Sequence, residues 1–307
     1  MNSSTPVWAS FFTDEEYEAF LEEVEAEMIR RDLDFEVEEG VVLVVLPGGS
    51  ETSFGLLNLA QLCNQLERER WREAVQSHFD SMLVARADSE DLEEQSFEAV
   101  RSLLKLRVYP LEYLDYESLE LLWKPISEGM IGVLVYDLPM SVATVHPSHV
   151  ERWGMDLESL FELALLNVQA FDPVETQRLV IEDGTLLDLL IGETFFAATH
   201  VLLLDEYFGC GEYGALVSVP NRHLVIHHDI KDLSVVQALR TMSIVARHRF
   251  LEGPGSVSPH LYWMVPKGGA GDMLRLPIEQ DGEGSWEFTP PERFVEEVLN
   301  RLAESSS

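Results

Sequence analysis

Residues 219–228, VPNRHLVIHH, bring a proline, an asparagine, an arginine and three histidines together around aliphatic residues. Clustered imidazoles hold metals or move protons. A guanidinium can grip a carboxylate or phosphate through two parallel donors. A two-residue loop at Asn221-Arg222 would set Val219 opposite Leu224 and Val217 opposite Ile226. His223 and His227 would then share a face about 13 Å apart along the strand, too far for one metal ion to take both. That loop suits Asn221 but strains Arg222, because a type I′ turn needs positive φ at both centres. A three-residue loop through His223 is the alternative register. No metal is assigned, and the stretch reads first as a hairpin. Asn221, Arg222 and His223, with Asp137 and Asn167, are the candidate ligand-binding groups, and Arg222 is the candidate anion ligand.

Other chemistry-bearing stretches point to structure. In His146-Pro147-Ser148-His149, Pro147 suits the first turn of a short helix. His200 lies among Phe195, Phe196 and Leu203 and reads as a core histidine. Asn167 sits in the apolar run LALLNVQAF and must find hydrogen-bond partners if buried, as by pinning a neighbouring turn. The PKGGAGD stretch at 266–272 lacks the spacing and the Lys-Ser/Thr ending of a phosphate-binding loop. There is no Gly-x-Ser-x-Gly elbow and no Gly-x-Gly-x-x-Gly, so no catalytic residue is assigned and no cofactor is implied. Cys63 and Cys210 are too few for a disulfide framework or a thiolate zinc site.

The elements that would carry these groups fall into two regions. Residues 1–128 read as mainly helical with one hairpin. Thr13-Asp14-Glu15-Glu16 has the form of a capping box, and Tyr17, Phe20, Leu21, Val24 and Met28 follow at helical spacing. DFEVEEGVVLVVL reads as two strands about a Glu-Gly turn, and residues 59–82 as helix. An N-cap at Asp88-Ser89 predicts a helix over 88–105 with Phe97, Val100 and Leu104 inward, and LKLRVYPLEYLDY reads as a strand running into an aromatic loop. Residues 129–307 repeat a strand–strand–helix unit. Hairpins at 131–145, 177–191 (about Asp183-Gly184) and 214–228 are followed by helices at 156–170, 194–208 and 232–250. The expected architecture is α+β, with antiparallel sheet and helices packed on one face.

Charge bounds the partners. Fifty-five acidic residues against twenty-one basic ones leave a formal −34, which argues against direct binding to nucleic acid or an anionic membrane. From Asp14 to Glu39 there are thirteen acids and two arginines. Glu15, Glu18, Glu22 and Glu25 on the first helix are candidate contacts for a basic protein partner, with salt adaptation as the alternative source of the acidity. No signal peptide and no apolar run long enough to span a membrane is legible, and a cytoplasmic location is expected.

Part of the chain resembles the YtpQ-like family of uncharacterised bacterial proteins. The resemblance covers roughly residues 100–250. It is carried by Asp137 before the second strand of its hairpin, by the helix through Ala164 and Asn167, and by the Val-Pro-Asn-Arg turn at Pro220, Asn221 and Arg222. It implies a cytoplasmic α+β protein and brings no activity or catalytic residue with it. The expectation is a protein that binds another macromolecule, a basic protein, through its acidic surface, with an immunity or inhibitor role as one version. The alternatives are an enzyme or small-ligand binder with an anion pocket near Asn221 and Arg222, and a scaffold subunit.

Overall fold

The computed structural model describes residues 5–38, 40–46, 49, 51–92, 95–115, 120–139, 141–266, 272–280 and 286–305, with the side chains at 51, 85–91, 279, 280 and 286 excepted. Most of the PKGGAGD stretch lies outside these residues. The protein is α+β, with antiparallel sheets. It divides into two compact units, Met1–Glu93 with residues 138–141 and 251–254, and the remainder. Residues 94–128, read above with the N-terminal region, therefore fall in the second unit.

In the first unit, α1 (Asp14–Arg30) opens on the expected capping box. Thr13 Oγ1 accepts from the Glu16 amide, and the Glu16 carboxylate accepts from the Thr13 amide. Strands β1 (Asp34–Glu38), β2 (Val41–Val45) and β3 (Glu51–Gly55) form a three-stranded sheet, one strand more than the hairpin expected. Helices α2 (Leu57–Asn64) and α3 (Trp71–Leu92) complete a core around Phe20, Val24, Met28, Leu59 and Phe79. The helix expected over 88–105 does not form. Helix α3 runs through Ser89 to Leu92, α4 (Phe97–Val100) is a single turn, and Leu104 begins a strand. The β-favouring run LKLRVY outweighs the helical spacing of three apolar residues.

In the second unit, β4 (Leu104–Pro110), β5 (Trp123–Ser127), β6 (Met130–Leu138) and β7 (Ser141–Thr144) form one sheet, with β6 between β4 and β5. Helices α5 (Pro147–Trp153) and α6 (Leu157–Phe171) follow, and α6 packs along β4. Strands β8 (Glu175–Val180), β9 (Leu186–Ile191), β10 (Ala215–Asn221), β11 (Leu224–Asp229), β12 (Leu261–Met264) and β13 (Met273–Leu276) make a six-stranded sheet in the order β8-β9-β11-β10-β12-β13. The hairpins at 177–191 and 214–228 are thus laid side by side, whereas the one at 131–145 belongs to the smaller sheet.

The long helix of this region, α8 (Val235–Glu252), and the helical run Glu292–Ser305 cover one face through Leu216, Ile226, Leu239, Met242, Trp263 and Phe294. The other face is not bare of helix. It meets a 3-10 segment (Ala197–Leu203), the one-turn α7 (Leu204–Tyr207), and Val108, Ile126 and Met130 from the smaller sheet. The 194–208 stretch is therefore mostly 3-10 rather than α. The β8–β9 loop is also longer than two residues. Ile181 and Thr185 close it, with Gly184 at φ +87.

Candidate functional site

The Val-Pro-Asn-Arg turn is a hairpin in a register other than the expected one. Asn221 pairs with Leu224, so Arg222 and His223 are the loop, and Ser218 lies opposite Ile226 after a bulge. Neither loop residue has positive φ, since Asp32 is the sole non-glycine residue with positive φ among the described residues. Asn221 Oδ1 accepts from the His223 amide (3.0 Å) and closes the turn locally. The bulge falls between Ser218 and Asn221, a stretch that includes Pro220, which has no N–H to lose from the ladder.

Arg222 is held at both ends of its backbone. Its N–H donates to Gly255 O (2.8 Å) and its carbonyl accepts from the Ala198 amide (3.0 Å). A Cβ at Gly255, which has φ +77, would lie 2.5 Å from Arg222 Cδ, so only glycine lets the arginine stem pass there. The guanidinium centre lies 4.7 Å from the Phe195 ring centroid, and Arg107 of β4 lies 5.5 Å from the same ring. Arg107 also stands 4.5 Å from Tyr109, which stacks on Tyr113 at 4.1 Å and 16°. The two cations are therefore held by aromatic faces. Among the described residues neither has a carboxylate partner, and Arg107 Nε is buried with no hydrogen bond.

Arg222 Nε donates to His223 Nε2 (2.8 Å), and His223 Nδ1 donates to Gly192 O (3.0 Å). This fixes His223 as the neutral Nδ1–H tautomer. Burial, then the adjacent Arg222 charge, holds its pKa below the ordinary value. Burial, then the Arg107 charge, pulls Arg222 down from its ordinary value to about 10. No hydrogen bond among the described residues occupies the terminal guanidinium nitrogens of Arg222. Two half-buried like charges with unspent donors favour an anion.

Two residues before Arg107, on the same face of β4, Lys105 shows the contrast. It is buried, 2.5 Å from Asp172 and 2.7 Å from Asp137, and 4.8 Å from the Phe196 ring centroid. Asp137 is thus placed as a counter-ion of Lys105 rather than as a ligand group beside Arg222. Asn167 is likewise elsewhere, where its amide donates to the carbonyls of Arg101 and Leu104 (both 2.8 Å), pinning the turn before β4. Asn221 Nδ2 donates to Arg249 O. Of the five candidate ligand residues, Asn221 shapes the turn, and only Arg222 and His223 sit at the cationic site. The residues missed were Arg107 and Phe195. An x-Lys-x-Arg-x alternation in an apolar strand of so acidic a chain was the available signal for the first.

The remaining histidines are occupied or enclosed. His200 is buried, bonded to Asp172 O (2.8 Å) and Tyr207 Oη (2.7 Å), a satisfied core residue as expected. His149 meets the Tyr136 hydroxyl (2.8 Å), and His146 meets Ser148 and Glu120. His227 is buried against Phe208 with neither ring nitrogen hydrogen-bonded, its Nδ1 4.0 Å from the Asp188 carboxylate, and burial lowers its pKa to about 4. Among the described residues no three His, Cys, Asp or Glu side chains are grouped to hold a metal, and no helix is long and apolar enough to cross a membrane. Glu15, Glu18, Glu22 and Glu25 form one exposed stripe on α1, with Glu15 3.5 Å from Arg68. Compared with protein-family models, curated proteins and solved structures, the chain matches none.

Proposed function

We propose that the protein binds a small anionic ligand, bearing a carboxylate or phosphate, between Arg107 and Arg222. The proposal is carried by one observation. In a chain of net charge −34, two guanidiniums sharing the Phe195 ring have no acidic partner among the described residues. Bringing like charges together in a desolvated place costs free energy, and an anion bridging them repays it. His223 presents no free donor, so its part is to orient Arg222. The test is thermal unfolding with phosphate, pyrophosphate and citrate against chloride at matched ionic strength. A rise in Tm with one of them, absent in Arg222→Met, supports the reading. No rise beyond the chloride control, or the same rise in the variant, overturns it.

The exposed acidic stripe on α1 favours a second reading, docking of a basic protein, with an immunity or inhibitor role as one version. Replacing Glu15, Glu18, Glu22 and Glu25 with glutamine should slow association and flatten its salt dependence. The likeness to the YtpQ-like family rests on the residues quoted for it and stays part of this proposal, as does the cytoplasmic location.

A further inference from the structure

The six-stranded sheet ends on β8, and all six of its residues, Glu175–Val180, are exposed. The hydrogen-bond pattern of its pairing with β9 identifies which amides are free to meet a new strand. Ile181 N–H donates to Thr185 O (2.9 Å), which makes Ile181 and Thr185 a hydrogen-bonded pair. Antiparallel ladders alternate, so Leu179, Gln177 and Glu175 exchange bonds with β9. Thr176, Arg178 and Val180 turn their N–H and C=O groups outward. The β8–β9 register runs through six consecutive pairs without a bulge, and β8 contains neither lysine nor proline. These are the devices that commonly blunt a sheet edge.

We propose that the β8 edge accepts an extended segment of another protein as an added strand, one that alternates basic and apolar residues. This is independent of the anion site. The apolar half follows from Val180 (63% exposed) beside Leu186 (49%), with Leu179 (45%) on the opposite face. The basic half follows from charge. Arg178 is already neutralised by Asp188 (2.6 Å), whereas Glu175 and Glu182 have no ion pair among the described residues. A second copy of this chain would bring another −34 to the same edge, which opposes self-association. Main-chain bonds would supply affinity, and alternate side chains selectivity.

The test is amide hydrogen exchange on the full chain with a short synthetic peptide alternating lysine and valine. Slowed exchange at Thr176, Arg178 and Val180, without change at Gln177 and Leu179, is expected. Thr176→Pro removes one outward N–H while sparing the β9 ladder, and should weaken peptide binding roughly fivefold, the order of one net hydrogen bond. Gln177→Pro, which breaks a β9 bond, reports unfolding of the edge for comparison. Equal protection by a glutamate–valine peptide would overturn the charge argument, and no protection would overturn the site. Protection in the free protein that fades on dilution would assign the edge to a second copy and refute the proposed partner.

Discussion

Replacing Arg222 with methionine separates a binding role from a structural one, because the two predict different stabilities. In the folded chain the guanidinium is held at about 10, well below its ordinary value, chiefly by burial and secondly by Arg107. At about 1.4 kcal/mol per tenfold change, the charged form is disfavoured by about 3 kcal/mol relative to the unfolded chain. The sign follows from proton binding. Above pH 10, up to the ordinary guanidinium value, the unfolded state holds the proton that the folded state has released. Stability therefore rises with pH across that window, and the full penalty stands at neutral pH. Against it stand the Phe195 contact, about 1 to 2 kcal/mol, and the bond to His223, about 1 kcal/mol. Arg222→Met should therefore unfold in urea within about 1 kcal/mol of the natural chain. The natural chain should gain about 2.7 kcal/mol from ligand at a hundred times its Kd, and the variant nothing. Urea titrations followed by tryptophan fluorescence, with and without phosphate, measure both. A loss of 3 kcal/mol or more in the ligand-free variant would mean that Arg222 is a strut of the fold, and the anion reading would fall with it.

Lys105→Met leaves Asp172 buried without its cation and should cost about 3 to 5 kcal/mol by urea unfolding, with part of the loss recovered when Asp172→Asn is added. A cost under about 1 kcal/mol would contradict the triad. His227, held at about 4 against an ordinary 6.5, should stay neutral in an NMR titration down to about pH 4. Because the unfolded chain takes up the proton first, its contribution is complete above pH 6.5. About 3 kcal/mol is lost as pH falls from 6.5 toward 4, and His227→Leu should flatten that slope. Thr13→Ala should lower stability by about 1 kcal/mol and Thr13→Ser by much less, read from the urea midpoint.

What the sequence determined is what depends on near neighbours. The capping box at Thr13 and Glu16, the acidic stripe at three- and four-residue spacing, and the hairpin–helix rhythm of the second half are local patterns. Their physics is complete within one turn or one strand pair. The elements that folded otherwise were also local contests that a short window leaves even. Leu104 fits a helix stripe as well as a strand, and the 219–228 turn allows more than one loop length. Tertiary structure decided the turn through Gly255 and Ala198, which fix the Arg222 backbone. It also decided the site. Lys105 and Asp172 are 67 residues apart, Arg107 and Arg222 farther still, and nothing in their own segments says which cation will meet a carboxylate and which an aromatic ring. Charge interactions are set by distance and desolvation, and both exist only once the sheets and α6 have packed.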